Sequence, residues 1–101
     1  MRERRDRASK GNYQSLAGIL QLAFDRASTG KGYERHAEDK PFEEQDIVSE
    51  LEVFGIAPAL FQIRKKAKET IRLKKQSAKN ELLDIIVYAA AAHLYLERKE
   101  N

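Results

Sequence analysis

The feature that most constrains the fold is a long apolar segment from Leu82 to Leu96, in which only Asp84 and His93 are clearly polar. It is shorter than the ~20 residues that span a bilayer, and it lacks the strict alternation of a half-buried strand. We predict a helix over residues 78–98 with Ser77 as its N-cap. A helix that is apolar on nearly all sides is buried on all sides. Neighbouring subunits are therefore expected to cover part of it, with His93 packed in the core or in that interface.

Three shorter helices are predicted before this one, because apolar positions recur at helical spacing over residues 13–27, 43–54 and 58–73. In the third helix the predicted core stripe is Leu60, Ile63, Ala67 and Ile71, and the opposite side carries Gln62, Lys66, Glu69 and Leu73. The third and fourth helices are predicted to form a C-terminal antiparallel helical hairpin. The predicted fold class is all-α, a four-helix arrangement that is oligomeric.

The chain of 101 residues is predicted to form one domain. Residues 1–12 are interpreted as a flexible basic arm and residues 13–101 as a single helical domain with a long loop at 28–42. The sequence contains no cysteine, which excludes a disulfide framework and a thiolate metal site. With no secretory signal segment, we expect a cytoplasmic protein without a membrane partner. So short a chain buries little surface by itself, so we expect a homo-oligomer.

Three carboxylates are candidates for a metal site. Glu81 and Asp84 are three residues apart and share a helix face, and the predicted hairpin brings Glu69 opposite them. All-oxygen ligands of this kind suit Mg²⁺ or Mn²⁺, which position water against a phosphate. The alternative is ion pairing, with Glu69 bound to Lys65, Lys66 or Arg72 and Glu81 stabilised by the helix dipole in the first turn of its helix. Asp84 lies in the apolar segment, so it needs a metal, a base or a strong donor, and the candidate cations are again Lys65, Lys66 and Arg72.

The long loop, STGKGYERHAEDKPF, is the second candidate site. Its glycines expose backbone amides, and its cations can pair with phosphate oxygens. The predicted ligand-binding residues are Thr29, Lys31, Arg35 and His36, with Tyr33 stacked on a base. The alternative is a solvated, charged loop.

Four segments of the sequence resemble a known family. They are KGYERHA at 31–37, FEEQ at 42–45, QIRKKAKE at 62–69 and ELLDIIVYA at 81–89. The last is similar to the second metal motif, Glu-x-x-Asp before an apolar helix, of the all-α MazG-like nucleoside triphosphate pyrophosphohydrolases. Together, over about residues 28–97, the segments resemble short phage and prophage proteins of the dATP/dGTP diphosphohydrolase type.

The resemblance implies a nucleotide-binding hydrolase that uses Mg²⁺ in the cytoplasm of a bacterial host cell. The implied metal ligands and catalytic residues are Glu69, Glu81 and Asp84, and the implied ligand contacts include Gln62, Lys65, Lys66 and Tyr88. Two positions depart from the family pattern. Lys66 stands where the first metal motif has a glutamate, and Val87 stands where related phage sequences often have an asparagine.

Three functions stay open at the level of the sequence. The first is a metal-dependent nucleoside triphosphate pyrophosphohydrolase. The second is a catalytically silent nucleotide-binding oligomer, for instance a phage protein that sequesters nucleotide second messengers, which would explain Lys66. The third is a nucleic-acid-binding helical module using residues 64–79, where eight of sixteen residues are Lys or Arg. A net charge of only +3 and the lack of a recognition motif count against the third function. Four aromatic residues are predicted to pack rather than to stack on bases: Phe24, Phe54, Phe61 and Tyr95.

Overall fold

The structure is a computed structural model that describes residues 11–29 and 40–99. Within these ranges it has four α-helices and a short 3₁₀ turn, Phe42–Glu44, and it contains no strand. The helices are α1 (Gln14–Thr29), α2 (Asp46–Phe54), α3 (Ala57–Thr70) and α4 (Lys75–Arg98). The all-α fold class is therefore confirmed. No helix in the described ranges is both long enough and apolar enough to cross a membrane.

The loop between α2 and α3 has a clear stereochemical cause. Gly55 has φ 79°, a left-handed value that side chains disfavour, and its N–H donates to the carbonyl of Leu51 at 2.8 Å. Glycine therefore ends α2 at this position. Pro58 lies in the first turn of α3, where its missing N–H costs no helical hydrogen bond.

The long helix α4 begins earlier than the sequence indicates. Lys74 is its N-cap, with extended backbone and no side-chain hydrogen bond, and the N–H of Ala78 donates to the carbonyl of Lys74 at 2.8 Å. The prediction of Ser77 as N-cap is wrong, because Ser77 already lies in the first turn. Lysine and glutamine are strong helix formers, so α4 starts at Lys75 and Gln76 without a serine cap.

The core is small and lies where α2 and α3 contact α4. Its buried members are Ile47, Val48, Leu51, Ala59, Ala91 and Ala92. The two alanines of α4 have no side chain beyond Cβ, so neighbouring helices can approach it closely. Tyr95 packs against this cluster as predicted. α1 contacts mainly α4 and buries Ala23.

The orientation of α3 differs from the prediction. Two members of the predicted core stripe, Leu60 and Ile71, are 51% and 87% exposed, whereas Lys66 on the opposite side is only 9% exposed. The predicted burial of that stripe is therefore wrong within the subunit. The reason is electrostatic, because Lys66 turns toward two carboxylates of α4, Glu81 and Asp84. The spacing of apolar residues alone does not predict this ion pairing.

A large apolar surface stays uncovered in the single subunit. His93, which was predicted to pack in the core or in a subunit interface, is exposed in the single subunit, and so are three of the four aromatic residues predicted to pack: Phe24, Phe54 and Phe61. On α1 the exposed apolar residues include Leu16, Ile19 and Leu20. An open concavity of about 580 Å³ between α1 and α4, here called the apolar groove, is lined by residues that include Leu20, Phe24, Ile86 and Ala90.

Candidate functional site

Lys66 lies between the two carboxylates of α4. Its ammonium Nζ is 3.3 Å from Oε2 of Glu81 and 3.5 Å from Oδ2 of Asp84. Glu81 and Asp84 share one face of α4 because they are one helical turn apart. Lys66, which departs from the pattern of the resembled family, thus pairs with two of the three predicted metal ligands.

Arg26 of α1 completes this group. Its Nε and Nη2 donate to Oδ1 and Oδ2 of Asp84 at 2.7 and 3.3 Å, a two-pronged geometry suited to a carboxylate. The hydrogen bond from Asp84 raises the pKa of Arg26 above its usual value, although burial acts in the opposite direction. The side chains of Arg26 and Asp84 are only 15% and 13% exposed. We call Arg26, Lys66, Glu81 and Asp84 the charge cluster.

The charge cluster explains how the apolar segment accommodates Asp84. The sequence predicted that this carboxylate needs a metal, a base or a strong donor, and the structure supplies two donors. Lys66 was named in advance as one such cation, whereas Arg26 was not. A signal for Arg26 existed in the sequence, because it follows Ala23 by three residues and so shares the face on which α1 meets α4.

The charge cluster fits a divalent metal poorly. Two cationic and two anionic side chains balance, so no net negative charge is left to attract Mg²⁺, and an ammonium stands between the prospective ligands. Glu69 does not join them. Its Oε1 accepts a hydrogen bond from Nη2 of Arg72 at 2.6 Å, the ion-pair alternative for this residue. Within residues 11–29 and 40–99, no group of three or more His, Cys, Asp or Glu side chains is placed to hold a metal ion. Mg²⁺ at this site stays a prediction.

Two further predicted ligand residues, Gln62 and Tyr88, lie together beside the charge cluster. The ring centroid of Tyr88 is 5.9 Å from Nζ of Lys66, within the range of a cation–π interaction. Gln62 and Tyr88 both line a small cleft of about 260 Å³ between α2, α3 and α4. Because Asp46 and Glu50 also line it, we call it the acidic cleft.

A second concavity runs along the outer side of α3. It is open, has a volume of about 680 Å³, and is lined by Phe61, Arg64, Lys65, Lys68, Glu69 and Arg72. We call it the basic groove. Lys65 was a predicted nucleotide ligand, and Arg64, Lys68 and Arg72 belong to the basic stretch 64–79 considered for nucleic-acid binding, whereas Phe61 was predicted only to pack. Their spacing in the sequence is the signal that could have found them, because positions 61, 64, 65, 68 and 72 recur with the helical period.

Of the predicted ligand residues in the loop, the structure describes only the first, Thr29. The hydroxyl of Thr29 donates to the carbonyl of Asp25 at 2.9 Å, so it caps the preceding turn of its own helix. Lys31, Tyr33, Arg35 and His36 lie outside the described residues. Their roles in binding a phosphate and a base stay predictions.

Comparisons with known proteins do not extend this picture. No protein-family model, no curated protein and no solved structure matches the chain. The resemblance to the MazG-like group therefore stays a prediction carried by the sequence motifs.

Proposed function

We propose that this protein is a homo-oligomer that binds a nucleotide without metal-dependent hydrolysis. The observation that carries the proposal is the position of Lys66, whose ammonium lies 3.3 and 3.5 Å from Glu81 and Asp84, two of the three carboxylates that a hydrolase of the resembled type would use for Mg²⁺. Of the functions that the sequence leaves open, the silent binder is the one that makes use of this lysine.

The balance of charge supports binding over hydrolysis. A catalytic Mg²⁺ needs anionic oxygen ligands, and here each of the three carboxylates already forms an ion pair with a cation of the protein. If Mg²⁺ displaced Lys66 from the carboxylates, the ammonium would lose its ion pairs while its side chain stayed only 11% exposed. An unpaired charge at that depth is strongly unfavourable, so the ion pairs oppose entry of the metal.

Three cations of the basic groove support a phosphorylated ligand. Within the described part of the chain, no carboxylate lies within ion-pair distance of Arg64, Lys65 or Lys68, while Glu69 is occupied by Arg72. Cations that the protein leaves uncompensated on one helix face are suited to pair with phosphate oxygens. The resemblance of the loop at 31–37 to nucleotide-handling phage proteins points to the same class of ligand.

The uncovered apolar surface supports self-association. Phe24 and Phe54 are each more than 60% exposed, and Ile71 is 87% exposed. Single exposed apolar side chains are common, but contiguous ones such as Leu16, Ile19 and Leu20 on α1 mark an interaction surface. A second copy of the chain would bury them.

A nucleotide panel tests the proposed function. Binding of nucleoside mono-, di- and triphosphates and cyclic dinucleotides would be measured by calorimetry in EDTA, and products would be followed by phosphorus NMR with and without Mg²⁺ or Mn²⁺. We expect binding of at least one nucleotide in EDTA and no product with either metal.

Two results would contradict the proposal. Release of pyrophosphate that depends on the metal would establish the hydrolase. The nucleic-acid-binding module would be established if the protein bound duplex nucleic acid with a steep salt dependence and bound no mononucleotide or dinucleotide.

A further inference from the structure

The basic groove and the acidic cleft meet at one aromatic side chain. Phe61 lines both concavities and is 62% exposed. An aromatic ring that packs in the core is shielded from water, whereas this ring lies exposed between two concavities that charged side chains line. Its position suits a planar group of a ligand that extends to both sides.

The two sides of Phe61 carry opposite charge. On one side lie Arg64, Lys65 and Lys68, which no described carboxylate neutralises. On the other side lies Glu50, which forms no ion pair or hydrogen bond with any residue in the described ranges. A ligand that satisfies both sides has an anionic end and an end that donates N–H groups, joined through a flat ring.

The distances along α3 match a phosphate chain that starts near the ring. A helix rises about 1.5 Å per residue, so Arg64 stands about 4.5 Å and Lys68 about 10.5 Å beyond Phe61 along the axis. The cations are therefore spread along one line instead of being gathered at one point. A nucleotide with its base on Phe61 presents successive phosphates in that direction.

The carboxylate of Glu50 specifies which edge of a base fits. An ionised carboxylate only accepts hydrogen bonds, so it favours a base edge with adjacent N–H donors and disfavours one with a ring-nitrogen acceptor. Guanine presents N1–H and the N2 amino group side by side. Adenine places an acceptor nitrogen next to its amino group.

We propose that this surface binds a guanine nucleotide, with the base stacked on Phe61, its donor edge at Glu50, and its phosphates along Arg64, Lys65 and Lys68. The assignment rests on the proposed nucleotide-binding function and locates it on α2 and α3, apart from the loop at 31–37. Glu50→Gln converts one acceptor oxygen into a donor, so it should remove the preference for guanine while leaving phosphate binding unchanged.

The test is calorimetry of the full chain in EDTA with GTP, ATP and inorganic triphosphate. We expect GTP to bind about tenfold more tightly than ATP, the discrimination that one pair of hydrogen bonds to a base edge gives. Glu50→Gln should bring that ratio close to one. Phe61→Ala should weaken GTP about tenfold and leave inorganic triphosphate unaffected, because base stacking is lost. Lys68→Ala should weaken all three ligands.

Matched controls are Glu97→Gln and Lys79→Ala, exposed residues on α4 that line neither concavity. Thermal melts would confirm that each variant folds. GTP bound equally well by wild type and by all three site variants would overturn this location and leave the proposed function standing. Equal affinity for GTP and ATP in the wild type would overturn the base assignment. Failure to bind any nucleotide would overturn both proposals.

Discussion

The guanidinium of Arg26 donates two hydrogen bonds, at 2.7 and 3.3 Å, to the carboxylate of Asp84, which lies 58 residues later in the chain. This contact joins α1 to the long helix α4 at a point where both side chains are largely shielded from water. The first helix is therefore attached to the subunit by charge as well as by apolar packing around Ala23.

Arg26→Ala should destabilise the subunit strongly, because Asp84 would stay shielded with Lys66 as its one remaining cation. We expect a loss of about 3 kcal/mol in the free energy of unfolding, the order found when one partner of a buried pair is removed. Urea denaturation followed by circular dichroism measures it. The matched control is Arg72→Ala, which removes an exposed pair with Glu69 and should cost about 0.5 kcal/mol. Equal losses for the two variants would show that the cluster contributes no more than a surface pair.

Lys66→Glu should convert the charge cluster into a metal-binding site. The change removes the ammonium between Glu81 and Asp84 and adds a third carboxylate, so the variant should be less stable without metal and should gain stability from Mg²⁺. At a Mg²⁺ concentration tenfold above the dissociation constant, the free energy of unfolding of the variant should rise by about 1.4 kcal/mol. Thermal melts with EDTA and with Mg²⁺ measure it, and Lys66→Met, which removes only the charge, is the control. A wild-type protein that Mg²⁺ stabilises as much as the variant would contradict our description of the site.

Phe24→Glu should dissociate the proposed oligomer without unfolding the subunit. The side chain is 65% exposed in the single subunit and lines the apolar groove, so a charge there costs little in the monomer and much in a subunit interface. Light scattering should give a multiple of 11.6 kDa for the wild type and 11.6 kDa for the variant. Ser15→Glu, an exposed polar position on the same helix, is the control and should leave the mass unchanged. A wild-type mass equal to that of the monomer would contradict the proposed self-association.

Ala91→Leu and Ala90→Leu should have different effects although the residues are adjacent. Ala91 is fully buried in the core, so added volume should destabilise the subunit by about 1–3 kcal/mol. Ala90 is exposed and lines the apolar groove, so its substitution should change the unfolding free energy by no more than about 0.5 kcal/mol and act only on assembly. Denaturation curves separate the two. Comparable destabilisation by both would place Ala90 in the core.

The sequence predicts where helices form better than it predicts which side of each helix is buried. The apolar period of residues 43–54 predicts that Ile47, Val48, Leu51 and Phe54 face inward. The first three lie in the core, whereas Phe54 is 67% exposed. The same reasoning fails for α3, whose apolar residues Leu60 and Ile71 stay exposed. A periodic pattern identifies an apolar face but does not say whether the same subunit or another one covers it.

The carboxylates of the candidate site and one of its cations, Lys66, were predictable from the sequence, whereas Arg26 was not. Glu81 and Asp84 stand out because they share a helix face and because Asp84 interrupts an apolar segment. The cation Arg26 belongs to a distant helix, and only the packing of α1 on α4 brings it within 2.7 Å. The predicted helical hairpin also brought Glu69 opposite the other two carboxylates. In the structure Glu69 instead forms an ion pair with Arg72, three residues later in the chain.

The ammonium of Lys66 is attached to the chain, and this changes how the site responds to its surroundings. A divalent ion in the same place would leave whenever nucleotides, phosphates or chelators competed for it in solution, because its occupancy follows its free concentration. A tethered cation has an effective concentration set by the fold and independent of the solution. Charge compensation at Glu81 and Asp84 therefore persists while the pool of free magnesium rises and falls.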